Sequence, residues 1–333
     1  MKLPRGRARL VLVSLATLAV LVGFAAWFMT ATPGESHRGP LPPLDADGRG
    51  LAANLRKHVA AIASEEHNVD HPEALERSAR YIEATLSALG YAVSRQEFET
   101  EGVKVRNLEV SRGTGKRLVV IGAHYDSARD AVGADDNGSG VAALLELARF
   151  LKTVEPARGL EVRLVFYVNE ELPWFATDKM GSGVHSKGLA GEGKEVAAML
   201  SLETIGWYSE NFDSQRYPFP FSLFYPSKGN FVGFVANLRS RGLMHRVVGT
   251  FRRAVAFPSE GVAAPESIPG IGWSDQWAYW KFGWPALMVT DTAVFRYPHY
   301  HTLRDTPDQL SYERLARVVK GLEGVLRDLA ASG

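Results

Sequence analysis

Four apolar runs of this chain, residues 118–123, 162–168, 197–202 and 286–290, each break off at side chains able to bind a proton or a metal. The first leads into His124 and Asp126, the second into Glu170 and Glu171, the third into Glu203 and the fourth into Asp291. Runs such as LVVIGA and RLVFYV are free of the polar alternation of a half-exposed strand, which suits strands covered on both faces of a parallel sheet. In open α/β sheets, sites form in the crevice beyond the carboxyl ends of the strands. Acids and imidazoles placed there face one another, and carboxylates so crowded repel unless a cation joins them. Any one of these acids taken alone reads equally well as a surface-loop residue. Together they point to a metal.

The remaining pattern fits that frame. Further strands are expected at 92–98, 108–111 and 221–225. Helical periodicity covers 51–89 in two pieces, the second closed by Gly90, and recurs at 141–151, 231–239, 243–254 and 312–329. Strands alternating with helices predict an α/β three-layer sandwich around a mainly parallel, mixed central sheet. A hydrophobic fraction of 46% is that of a globular chain, and a net charge of +1 gives no global pull toward nucleic acid. The cluster Arg239, Arg241, Arg246, Arg252 and Arg253 reads as the solvated face of a helix. With no cysteine, a disulfide scaffold, a thiolate metal site and a cysteine nucleophile are all excluded.

The amino terminus stands apart from the globular part. Arg5, Arg7 and Arg9 precede an uncharged apolar run at 10–30, long enough for the helix of about 20 residues that a bilayer requires. The run exceeds a signal-peptide core, and Thr30, Ala31, Thr32 and Pro33 make a poor cleavage site. An uncleaved single-pass anchor is expected, with a cleaved, secreted form as the alternative. The arginines place residues 1–9 in the cytoplasm and everything beyond the span outside it. Residues 31–50, rich in proline and glycine, read as a linker, and 51–333 as one domain.

Within that domain, His124 offers an imidazole to a metal, and Asp126 lies two residues on, where it can orient the ring. The segment GADDNGSG, ahead of a helical pattern, places the doublet Asp135–Asp136 in a glycine-rich turn, and helix capping is the competing reading. Glu170 and Glu171 point different ways, so one can bind metal while the other serves a bound water as base. Of His299 and His301, one metal position needs only one, and His301 is preferred.

Read in order, GAHYDS, GADDNGSGVAALLELAR, VNEE, MGS, SLETIGWYS, SDQWAYW, PALMVTDTA and YHTLRDT resemble the M28 family of zinc peptidases over roughly residues 118 to 315. The resemblance implies a zinc-exopeptidase-like fold and a site of two Zn²⁺ ions. It implies Asp135 as the carboxylate bridging both, Glu171 and His301 completing one metal, and His124 and Glu203 the other. It implies Glu170 as general base, Asp126 in support of His124, and Tyr300 as a candidate for stabilising the oxyanion. The expected reaction is removal of the amino-terminal residue from peptides with a free α-amine. Two departures stand out: Glu203 where many relatives have aspartate, and Gln276, beside Asp275, where relatives often have histidine.

Other functions stay open on the sequence. A carboxypeptidase or dipeptidase would need a cation for the terminal carboxylate, with Arg296 or Lys179 available. A glutaminyl cyclase would use a single zinc. A degenerate, catalytically inactive metallopeptidase domain would serve as a binding ectodomain. The aromatic segment Trp207, Tyr208, Phe212, Tyr217 and Phe219 reads either as a substrate pocket or as core.

Overall fold

The computed structural model describes residues 5–332; residues 1–4, part of the expected basic tail, and residue 333 lie outside it. Eight strands form one sheet: β1 (Ser94–Thr100), β2 (Val103–Gly113), β3 (Gly115–His124), β4 (Gly159–Tyr167), β5 (Glu195–Glu203), β6 (Val232–Asn237), β7 (Ser259–Ala264) and β8 (Ala286–Thr290). Their order is β1-β2-β4-β3-β5-β8-β6-β7. The pairs β4/β3, β3/β5, β5/β8 and β6/β7 are parallel, while β1/β2, β2/β4 and β8/β6 are antiparallel. The sheet is mainly parallel and mixed, as expected.

The alternation of side chains along β3 shows why its apolar run is unbroken. Val119, Ile121 and Ala123 join one core, with α2 (Ala46–Ile62), α3 (Pro72–Ala88), α4 (Gly140–Leu151), α6 (Arg241–Ala254) and α8 (Tyr312–Ser332). Leu118 and Val120 join a second core on the opposite face, with α5 (Gly181–Gly191) and α7 (Gln276–Trp280). Successive residues of a strand point to opposite faces, so a strand clad on both sides must be apolar throughout. The result is the three-layer sandwich.

Two expectations are corrected. Within the expected helix at 231–239, Val232–Asn237 form strand β6: the segment VGFVAN is buried at every position, and periodicity cannot separate a fully buried strand from a buried helix. Residues 221–225 form a short turn, Phe221–Leu223, because Pro218 and Pro220 deny a strand its ladder donors. Strand β7, sequence SEGVAA, carries too little apolar bulk to announce itself. The glycine-rich α5 and the five-residue α7 were likewise silent in the sequence.

The first helix, α1 (Arg5–Thr30), contains a 19-residue stretch, Leu12–Thr30, that is long and apolar enough to cross a membrane and none of which is buried. Its end is fastened to the domain: Arg241 donates to the Phe28 carbonyl and lies over the Phe28 ring. Beyond it, Arg252 binds Thr32 Oγ1 and the carbonyls of Pro33 and Gly34. The residues expected as a linker therefore run along α6 and the edge strand β7, and α2 starts at Ala46, before the position the periodicity suggested.

Candidate metal centre

Strand β3 ends at His124, whose Nδ1 lies 3.1 Å from the Asp126 carbonyl oxygen and 3.6 Å from its carboxylate. Acceptors at Nδ1 leave Nε2 facing the crevice. The same carboxylate accepts the backbone N–H of Glu170 and of Glu171, at 3.2 Å each. One acid past the end of β3 thus holds the turn that follows β4. Glu203 closes β5; its Oε2 lies 3.4 Å from His124 Nε2 and accepts the Ser274 hydroxyl at 2.6 Å. The loop ahead of α8 contributes His301, held at a left-handed φ of 54°.

The acidic doublet corrects the expectation for Asp135. Asp136, not Asp135, stands between the two histidines: its Oδ1 is 3.3 Å from His124 Nε2 and its Oδ2 3.0 Å from His301 Nε2. Asp135 turns away. Its Oδ1 accepts the Gly206 N–H at 2.8 Å, and it lies among Asp291 and Asp305. The turn is tight at Gly133 (φ 77°), where a Cβ would come within 2.7 Å of the Asp136 carbonyl oxygen. It is braced by Asp305, whose carboxylate oxygens accept the N–H groups of Asp135 and Asp136 at 2.9 and 3.1 Å. Asn137 ties the turn to β5, donating to the Leu202 carbonyl at 2.8 Å. Consecutive residues in such a turn diverge, and only its path decides which acid meets the histidines.

Two groups of three potential ligands follow, His124–Asp136–Glu203 and Asp136–Glu171–His301, each with its atoms within 4.8 Å of one another and both sharing Asp136. A third group, His124–Glu170–Glu171, overlaps them. His124 Nε2, Asp136 Oδ1 and Glu171 Oε1 are buried without a hydrogen-bond partner. Buried polar atoms are otherwise almost always paired. Converging imidazole and carboxylate atoms left unpaired are the donor set zinc takes, and the residues fit it.

The electrostatics show how poorly the cluster tolerates being without a cation. Burial pushes the Glu170 carboxyl well above the usual carboxylate range; His124 opposes this, while Glu203, Glu171 and Asp275 add to it. Burial likewise raises Glu171, to about 7. At His124 burial favours the neutral ring, but Glu203, Asp126, Asp136 and Glu170 outweigh it and raise its pKa. His301 is raised to about 10 by Asp136 and Glu171, against the effect of burial. Of the remaining expected residues, Tyr300 stacks its ring on His301, 3.9 Å between centroids, and Asp275 is buried nearby. Gln276 points away, donating to the Ile271 carbonyl, and His299 packs on Tyr297. Lys179 reaches the Glu99 carbonyl, and Arg296 is buried beside Asp291 with one nitrogen on the Phe231 carbonyl. The fourth strand end, Asp291, thus belongs to a buried ion pair rather than to the cluster.

Beside Glu203 and Tyr300 opens an apolar cavity over β8, β6 and β7, bordered by Tyr217, Phe221, Phe231, Trp273 and Phe295 among others. The aromatic segment divides accordingly: Tyr217 lines the cavity, Trp207 and Tyr208 pack against the core, and Phe212 and Phe219 are exposed.

Comparison with known proteins gives a consistent picture. A family model described as Peptidase family M28 matches residues 107–325. An uncharacterised Escherichia coli protein, YfbL, is 38% identical over 280 residues, covering 80% of this chain and 85% of its own. Leucine aminopeptidase 1 of Arthroderma otae is 24% identical, covering 93% of this chain and 83% of its own. The fold resembles that of BSAP, a zinc aminopeptidase from Bacillus subtilis, with a TM-score of 0.66, 14% identity and coverage of 88% of this chain and 97% of that one. It also resembles a Bacteroides thetaiotaomicron glutaminyl cyclase, with a TM-score of 0.63, 18% identity and coverage of 87% and 99%.

Proposed function

The chain belongs to peptidase family M28, and from that premise we propose that it is a zinc aminopeptidase acting outside the cytoplasm. One observation carries this reading: two triads of buried ligand atoms share the single carboxylate of Asp136. A carboxylate shared between two sets of ligands suits a pair of divalent ions. His124 and Glu203 would hold one zinc, Glu171 and His301 the other, with Asp136 between them. When bound, zinc polarises the scissile carbonyl and acidifies water.

The residues divide the remaining work. Glu170 stands at the edge of the cluster, its Oε2 3.9 Å from His124 Nε2, and is fixed from behind by Asp126. Its carboxylate takes a proton from the attacking water as the C–O bond forms, then returns it to the amine as the C–N bond breaks. The Tyr300 hydroxyl supplies a hydrogen bond to the oxyanion. The carboxylates of Glu170 and Glu203, at the edge of the cluster beside His124, are acceptors for the N–H groups of a free α-amine. Arg296 and Lys179 are engaged elsewhere, which argues against recognition of a terminal carboxylate. Glutaminyl cyclase activity is the second reading, suggested by the similarity to a cyclase fold.

The test is a comparison of aminoacyl amides, amino-blocked peptides and peptides beginning with glutamine, with and without a chelator. We expect hydrolysis of free-amine substrates only, lost on chelation and restored by zinc. Glu170→Gln should lower turnover by about 10²–10⁴-fold with metal content unchanged. Hydrolysis of blocked peptides or cyclisation of amino-terminal glutamine would overturn the assignment, and wild-type turnover in the variant would overturn the role of Glu170.

A further inference from the structure

One register row of the sheet joins the metal cluster to a second acid. Glu203 of β5 pairs with Thr290 of β8, Thr290 with Gly233 of β6, and Gly233 with Glu260 of β7. Directly paired residues of a sheet share a face, and strands lie about 4.8 Å apart, so the two glutamates stand about 14 Å apart at the backbone on one side. The apolar cavity runs over this row, bordered at one end by Glu203 and Tyr300 and at the other by Glu260. Gly233, in the middle, keeps it open: the nearest atoms a Cβ there would meet belong to Thr290 and Thr292, at 3.4 Å or more, so the position is bare by residue choice and not by steric need.

Glu260 is under-compensated. No cation of the described residues pairs with it as an ion pair. The arginine that acts on it most strongly, Arg252, gives its guanidinium to Ser259 Oγ and O, Thr32 Oγ1 and the Pro33 and Gly34 carbonyls. Arg252, the Ser36 hydroxyl and Arg38 all favour the charged carboxylate, yet burial outweighs them and its pKa is raised. A carboxylate at the end of an apolar channel is unfavourable unless something arrives to pair with it. Lysine and arginine carry a long apolar stem and a charged tip, the chemistry of an apolar channel with an acid at its end.

We propose that Glu260 is a specificity residue, which selects peptides whose amino-terminal residue is lysine or arginine by pairing with the tip of its side chain at the far end of the channel. This rests on the aminopeptidase reading above and adds the class of side chain removed. The Tyr217 and Tyr225 rings, 5.7 Å apart, border the same end and flank the stem. Trp273 and Phe295 stack at the mouth, 6.5 Å between centroids. Norleucine, with the stem of lysine and no charge, separates the contribution of the tip from that of the walls.

The experiment measures kcat/KM of the full-length protein in detergent for lysine, arginine, norleucine, leucine and alanine amides, in the wild type, Glu260→Gln and Glu260→Met. The wild type should favour lysine over norleucine. Both variants should lose at least about tenfold for lysine and arginine, mainly through KM, because they remove one partner of a desolvated charge pair. Leucine and norleucine should stay within about twofold or improve, which also shows that the variants are folded. Equal losses on lysine and leucine, or a wild type that rejects lysine in favour of norleucine, would overturn the assignment of Glu260 while leaving the aminopeptidase intact. Failure to cleave any amide, leucine included, would bring down the aminopeptidase reading and this inference with it.

Discussion

Asp136 lies 3.0 Å from one histidine and 3.3 Å from the other, while Asp135, its neighbour in the chain, hydrogen bonds the backbone on the far side of the same turn. The two acids are alike in type and context, so no property of the sequence distinguishes them; the path of the turn does, and Asp305 sets that path from 169 residues away. Ser274 was hidden for a related reason. Its segment drew attention to Asp275 and Gln276, but the hydroxyl one residue earlier is the group that reaches Glu203, at 2.6 Å. A hydrogen bond of that kind orients a ligand and tunes its affinity, and losing it costs about 10–100-fold in metal binding. Ser274→Ala should therefore weaken zinc at the His124–Glu203 position by that factor in a chelator competition, with the fold retained. An unchanged affinity would show that Glu203 is positioned by its strand alone. His124, Glu171, Glu203 and His301, by contrast, were all legible as candidates, because each is a ligand-type residue in a short motif at the end of an apolar strand or in a distinctive loop.

The elements of the sheet were legible in proportion to how one-sided their message was. Strands β3, β4, β5 and β8 read as apolar runs that stop at charged residues, and α4, α6 and α8 as amphipathic periods. Strand β6 read as a helix because all six of its residues are buried. Helix α1 was legible by length and composition alone, and its exposed apolar surface over Leu12–Thr30 has no counterpart in the two cores. A surface of that kind is unfavourable in water and suits a bilayer. We propose that it is an uncleaved anchor with the arginine-bearing end in the cytoplasm. An alkaline phosphatase fused after the last residue should then be active and remain in the membrane fraction. An inactive fusion would reverse the orientation, and an active one found in the medium would mean that the helix is removed.

For the molecule as a whole, the order of the strands was beyond the reach of sequence reasoning, and it is what gives the site its surroundings. Placing β8, β6 and β7 beyond β5 sets an apolar cavity beside the metal cluster and lines it with residues from segments scattered between Glu203 and Tyr300. The same order leaves β7 at the edge, where the segment leaving α1 is fastened by Arg252. The segment leaving the anchor thus meets the sheet at β7, and the channel crosses from β7 to the cluster. All of this serves a site whose centre is one shared carboxylate. Zinc content and leucine-amide hydrolysis of the full-length protein, measured in the wild type, Asp136→Asn and Asp135→Asn, test that claim most directly. The account predicts about two zinc ions per wild-type chain. Asp136→Asn should be folded, metal-depleted and inactive. Asp135→Asn should keep both metal and turnover, because Asp135 turns away from the histidines and its Oδ1 accepts the Gly206 N–H, a bond that an amide oxygen also accepts. A folded Asp136→Asn protein with full zinc and wild-type turnover, or loss of metal on changing Asp135 instead, would contradict it.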